Sequence, residues 1–125
     1  EKIHAWKYEL DYGVLRADAF VAVKNCVTKK FRFMFIEMDR ATNKFDKVKK
    51  YNRLYDTGRY LGDWWVGLTN RFPPILVVTT SRGRAKKIVQ LVEEQNTANL
   101  EFRVRLLDDI REEVLEKCGK LQAAL

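Results

Sequence analysis

The sequence predicts an α/β (or α+β) domain: a central mixed sheet with an antiparallel N-terminal meander and helices on both faces. Three observations predict it. Three strand-like stretches come first, joined by short polar turns. The later strand-like stretches are separated by segments of helical periodicity, which is what parallel crossovers require. Between these regions lies Phe31–Asp39 (FRFMFIEMD), apolar on both sides, which predicts a central strand buried from two directions.

Taken in order, Ile3–Leu10 alternates in polarity, Asp11-Tyr12-Gly13 reads as a turn, and Arg16–Val23 (RADAFVAV) reads as the second strand. The polar stretch Lys24–Lys30 closes a hairpin onto Phe31–Asp39. The period then changes. In Lys44–Tyr55 the residues Phe45, Val48, Tyr51, Asn52 and Tyr55 share a helical face, with Thr42 or Asn43 as N-cap. Asp56–Phe72 is punctuated by Gly58, Gly62 and Gly67 and reads as a loop with a short helical turn. Trp64-Trp65 within it needs burial or a partner. They read as a plug over the sheet or a dimer contact, or as a platform for stacked bases. Pro73-Pro74 leads into a buried strand, Ile75–Thr80. Arg84–Gln95 is amphipathic through Ala85, Ile88, Leu91 and Val92. Phe102–Leu106 is a short strand, and Asp108–Lys117 a last helix, capped by Asp108 or Asp109. Its apolar positions Val114, Leu115, Cys118 and Leu121 are expected against the sheet or against another domain.

A chain of 125 residues suits one domain, 1-125, with a core of its own. Hydrophobic residues at 46% and charged residues at 33% exclude a disordered chain. No apolar run approaches the roughly 20 residues of a membrane span, so no membrane partner is expected. The chain opens at Glu1 rather than Met and shows no secretory signal. It therefore reads as the C-terminal fragment of a longer protein. Cys26 and Cys118 have no metal-ligand spacing and read as reduced thiols of a cytoplasmic protein. A single histidine, His4, argues against a histidine zinc site or a Ser-His-Asp triad.

The net charge of +7 points to a polyanionic partner, and its distribution sharpens the point. From Arg40 to Arg59 there are seven bases and two acids; from Arg82 to Lys87, four bases and no acid. From Glu93 to Lys117 the balance reverses, with eight acids and four bases. Arg40 and Lys49, Lys50 and Arg53 on the first helix are candidate DNA-phosphate contacts, or simply a solvated face. Arg82 and Arg84 flank a helix start whose free N–H groups suit a phosphate. The P-loop spacing is absent there.

Glu37 and Asp39 lie two apart, on the face that carries Phe31, Phe33 and Phe35. Buried unpaired, those carboxylates would cost several kcal/mol. Two readings follow. A hard cation such as Mg²⁺ binds them, with Asp18 and Glu9 as further oxygen ligands; or bases near in sequence, Arg40, Lys44 and Lys47, neutralise them.

The stretches RADAFVAV, FMFIEMDRAT, KVKKYNRLY and PPILVVTTSRGRAKKIV resemble the replication-relaxation family of plasmid and mobile-element proteins. In that family a Pro-Asp-Ala strand precedes a strand ending in Glu-x-Asp-Arg. A helix with Lys and Tyr follows, then a strand leading to an Arg-bearing helix start. The similarity runs from Trp6 to Val92 and is most specific at Phe35–Arg40. The element order also resembles the restriction-endonuclease-like, PD-(D/E)XK, fold. That resemblance implies Mg²⁺ held by Asp18 and Glu37, with Glu9 as an optional third acid. Two departures stand out. Ala17 replaces the proline, and Asp39 stands where the catalytic lysine belongs. Asp39 is then a further metal ligand, and a helix lysine takes the catalytic place: Lys47 first, with Lys44 and Lys50 as rivals.

The functional expectation is a DNA-associated nuclease-like domain of a replication or transfer protein, a Mg²⁺-dependent phosphodiesterase if active. The resemblance implies a DNA-binding segment upstream. The alternative is a non-catalytic interaction or dimerisation module on a degenerate nuclease fold, with a second copy as partner.

Overall fold

The computed structural model describes the backbone of residues 2–41 and 44–124, and the side chains of 2–41 and 44–119. The strands are β1 (Lys2–Asp11), β2 (Arg16–Lys24), β3 (Phe31–Met38), β4 (Ile75–Thr79) and β5 (Phe102–Leu106). The helices are α1 (Lys47–Thr57), α2 (Arg82–Gln95) and α3 (Leu107–Ala124), with a 3-10 turn at Val66–Leu68. The strands form one sheet in the order β1-β2-β3-β4-β5. β1, β2 and β3 pair antiparallel, and β3, β4 and β5 pair parallel. The expected mixed sheet with its N-terminal meander is therefore what the chain forms.

Both crossovers step the same way, from β3 to β4 and from β4 to β5. Right-handed crossovers that step one way lay their helices on one face. There Phe20, Phe33, Phe35, Ile75 and Val77 of the sheet meet Val48, Tyr51 and Leu54 of α1 and Ile88 of α2. Among the described residues, the opposite face receives only a border from α3, whose Leu107 and Ile110 flank Leu76 and Val78. Helices thus flank both faces, but very unevenly. This corrects the expected two-sided burial of β3: Phe33, Phe35 and Glu37 are buried, Met34 and Ile36 only half-buried, and Arg32 and Met38 exposed.

The helix starts also shift. α1 begins at Lys47 rather than Lys44; the expected caps Thr42 and Asn43 lie outside the described residues. Asp46 precedes it without capping it, and pairs instead with Lys50 at 2.9 Å. Gly58 ends α1 in the left-handed region (φ +67°), returning its N–H to the carbonyls of Leu54 and Tyr55. α2 begins at Arg82, and the Ser81 hydroxyl accepts the Arg84 N–H at 3.2 Å. β5 runs directly into α3, so Asp108 and Asp109 sit inside its first turn rather than before it. Their charge there suits the positive helix end. Val114 and Leu115 do not pack on the sheet as expected; they and Cys118 are exposed. The Leu121 side chain lies outside the described set.

Of the tryptophan pair, Trp65 is the plug, buried among Phe20, Phe33, Phe35, Tyr60 and Phe72, while Trp64 remains half exposed against Phe33. No helix among the described residues is long and apolar enough to cross a membrane.

Candidate functional site

The site forms where β2 and β3 part. Their ladder ends at the pair Ala19 and Ile36. Beyond it, side chains take over the amides. The Asp18 N–H donates to Glu37 Oε2 at 3.0 Å, and the Met38 N–H donates to Asp18 Oδ2 at 2.8 Å. This reciprocal clasp fixes two carboxylates at one strand end.

Glu37 continues the face of Phe33 and Phe35, so it points at α1. Positions 47 and 51 lie one turn apart on that helix and reach the same carboxylate. The Tyr51 hydroxyl donates to Oε2 at 2.5 Å, and Lys47 Nζ stands 2.8 Å from Oε1. The ammonium also donates to the Arg16 carbonyl. The ammonium lies against Oε1, which is shielded from solvent, as a close ion pair. Glu37 is 1% exposed. Burial pushes its carboxyl above the ordinary range; Lys47 and Tyr51 pull it back, and the nearby Asp18 charge adds to the rise. Burial, and then the Glu37 charge, raise the Tyr51 hydroxyl well above its usual value.

Asp18, Glu37 and Lys47 are therefore brought together, as the sequence reading expected. Of the rival lysines, Lys50 is engaged with Asp46 and Lys44 lies exposed nearby. All of these except Lys50 border a groove of about 930 Å³. Glu9 borders it too, exposed and in the left-handed region at φ +52°.

Asp39 is placed differently. Its carboxylate accepts Arg84 Nε at 2.9 Å and Nη2 at 3.0 Å, and the Thr79 hydroxyl at 3.0 Å. Burial raises its carboxyl, but these bonds outweigh it and leave the group below its ordinary 3.8. The fork withdraws Asp39 from the expected ligand set. It also engages Arg84, one of the expected phosphate contacts. The expected alternative in which bases near in sequence pair both acids holds for Glu37 through Lys47; Asp39 takes an arginine 45 residues away rather than Arg40. Arg40 is exposed at the groove. Lys49, Lys50 and Arg53 form the exposed side of α1, and Arg82 is exposed where α2 starts.

A stability prediction follows from this pair. Arg84→Ala is expected to cost about 2 kcal/mol at pH 7, less than the ~3–5 kcal/mol of a fully buried pair because Arg84 still touches solvent. Asp39 has a lowered carboxyl, so its contribution is present above pH 3.8 and is lost as pH falls through the folded value. Urea titrations of both proteins should show the gap narrowing in acid. A gap that does not change with pH would mean that Asp39 is not the partner that matters.

The donor set suits a divalent cation in chemistry, though sparsely. Asp18 spends one oxygen on Met38, and Glu37 Oε1 faces the Lys47 ammonium. Hard cations take such oxygens. Lys47 holds the space beside Oε1, so an ion would require the ammonium to swing aside. Among the described residues, no cluster of three or more His, Cys, Asp or Glu side chains is arranged to hold an ion. Water and substrate oxygens would have to complete the shell.

No protein-family model, curated protein or solved structure matches this chain. The site therefore rests on its own geometry. Sequence reasoning missed two of its parts. Tyr51 reads as a core residue, although its i,i+4 spacing from Lys47 was the available signal. Thr79 carries no signal until β3 and β4 are aligned.

Proposed function

We propose that this is a DNA-associated nuclease-like domain, of the kind found in plasmid and mobile-element replication or transfer proteins. Its phosphodiester site consists of Asp18, Glu37 and Lys47. One observation carries the reading: Lys47 of α1 stands 2.8 Å from Glu37, filling the role that Asp39 cannot fill, with Asp18 on the neighbouring strand.

Asp18 and Glu37 would hold Mg²⁺. The ion supplies charge neutralisation at phosphate and a more acidic water. The chain does the rest. The Asp18 N–H and the Tyr51 hydroxyl keep Glu37 Oε2 oriented, while Oε1 faces Lys47, whose ammonium would have to move before a ligand reached that oxygen. Lys47, once displaced from Oε1, remains at the groove to orient the attacking water and offset developing negative charge. Arg40 and Lys44, exposed on the same groove, are placed to meet neighbouring phosphates.

A second reading has its own support. Glu37 is nearly sealed and Asp39 is locked by Arg84, as in a structural ion-pair network. The domain would then be a non-catalytic interaction module.

Titration calorimetry with Mg²⁺ and Mn²⁺ separates the two. Binding in the millimolar range or tighter, lost in Asp18→Asn, together with cleavage of labelled DNA lost in the same variant, supports the nuclease. Asp18 is exposed, so the substitution leaves the fold intact, which circular dichroism checks. No binding and no cleavage leaves the interaction module.

A further inference from the structure

Among the described residues no helix packs across the second face of the sheet, although Ala19, Val21 and Val78 on it are buried among their neighbours, and its register is informative. Tyr8, Ala19, Ile36, Leu76 and Arg103 are successive cross-strand partners, forming a row from β1 to β5 on one face. Trp6, Val21 and Met34 form the next row. Strand periodicity puts both rows on the side away from α1 and α2. On the β1 edge of this surface Trp6 is 42% and Tyr8 73% exposed, with ring centroids 5.5 Å apart.

Along the strands the face joins two different regions. At one end it meets the groove that Trp6 and Tyr8 border, which continues past the strand ends to Asp18 and to Glu37 on the helix-covered side. At the other lies a cleft of about 820 Å³, between the β2–β3 hairpin and the segment 67–74. Lys29, Lys30, Arg71 and Arg103 line this cleft, and among the described residues no acid does. The nearby Glu101 pairs with Arg103 at 2.5 Å and approaches Arg71 at 3.9 Å, one carboxylate beside a cluster of cations.

We infer that this open face binds single-stranded DNA, with phosphates in the basic cleft and bases stacked on Trp6 and Tyr8, leading the strand toward Asp18 and Glu37. The inference deepens the nuclease-like reading and rests on its choice of DNA as partner. Charge complementarity favours a polyanion in the cleft. The exposed rings select an unpaired strand, because the faces of bases in a duplex are already stacked on one another. A second copy of this chain would instead have to set its own bases against these.

The test is fluorescence anisotropy with labelled oligothymidylate of about 15 nucleotides, within the span single-stranded sites cover. Chelator is present, so neither metal binding nor cleavage affects the reading. Binding is expected to weaken steeply with salt and to exceed that of a duplex of equal length by about ten-fold or more. Tyr8→Ala is expected to weaken it by about ten-fold, since one stacked base is lost. Lys29→Glu with Lys30→Glu should weaken it at least as much. These three residues are exposed, so the variants fold. Equal or tighter duplex binding, or an unchanged affinity in Tyr8→Ala, overturns the inference. So does absence of DNA binding with a dimer in light scattering that Tyr8→Ala dissolves, which would assign the face to a second copy. A chain that binds the oligomer but no metal loses only the nuclease reading; one that binds metal but no oligomer loses only this one.

Discussion

Trp65→Ala is expected to destabilise the domain by about 3–5 kcal/mol, while Trp64→Ala costs less than about 1 kcal/mol. The two residues are adjacent and chemically identical, so the contrast isolates position. Trp65 is 1% exposed. Its ring lies 5.5 Å from Phe20, 6.0 Å from Phe35 and 6.1 Å from Phe33, and stacks on Tyr60 at 5.7 Å. It joins β2 and β3 to the segment that follows α1. Its indole N–H donates to Asp63 Oδ2 at 3.2 Å, an oxygen that also accepts the Tyr12 hydroxyl. Truncation therefore removes a large apolar volume and one donor from a shared carboxylate. Several aromatic neighbours cannot collapse into the space without losing contacts of their own, so the cavity term is large. Against a total of roughly 5–15 kcal/mol for a domain, that loss is substantial. Urea midpoints of the two variants measure the contrast. Similar midpoints would place the plug elsewhere in the segment.

What the sequence conveyed well was local. Strand alternation in Ile3–Leu10, the apolar stretch Phe31–Asp39 and the changed period after Lys44 located the elements, because each is a property of neighbouring residues. The Lys47 reach was legible for the same reason: a lysine one turn before a core-facing tyrosine flanks the buried face of its helix. What stayed hidden depended on distant alignment. FRFMFIEMD reads as buried on both sides, yet the direction of the two crossovers leaves one side open. Nothing within the strand encodes that direction. The Asp39–Arg84 pair spans 45 residues and exists only once β3, β4 and the start of α2 are in register. Val114 and Leu115 look like packing residues, but β5 passes into α3 without a turn that would fold the helix back.

Lys47→Met should cost about 3 kcal/mol at neutral pH, with a pH dependence that identifies its cause. Removing one member of a buried pair strands the other. Here the stranded group is Glu37, whose carboxyl burial already raises and Lys47 pulls down. In the variant that restraint is gone, so the folded carboxyl rises further above its ordinary 4.5. The sign follows from linkage. A carboxyl raised in the folded state binds its proton more tightly there than in the unfolded chain. Its favourable contribution is full below pH 4.5 and is lost as pH rises through the folded value. The deficit of Lys47→Met should therefore shrink as pH falls, the reverse of the constant loss expected if the lysine stem acted only through packing. Adding Glu37→Gln to Lys47→Met removes the stranded charge and should recover most of the stability at pH 7. The amide can still accept the Tyr51 hydroxyl and the Asp18 N–H through its oxygen. Denaturant titrations of the four proteins of this cycle at two pH values give the coupling energy directly. A double variant no more stable than Lys47→Met would mean that Lys47 holds the Arg16 carbonyl and β2, rather than the charge of Glu37, and would leave the carboxylate without the cation on which a phosphodiester site here depends.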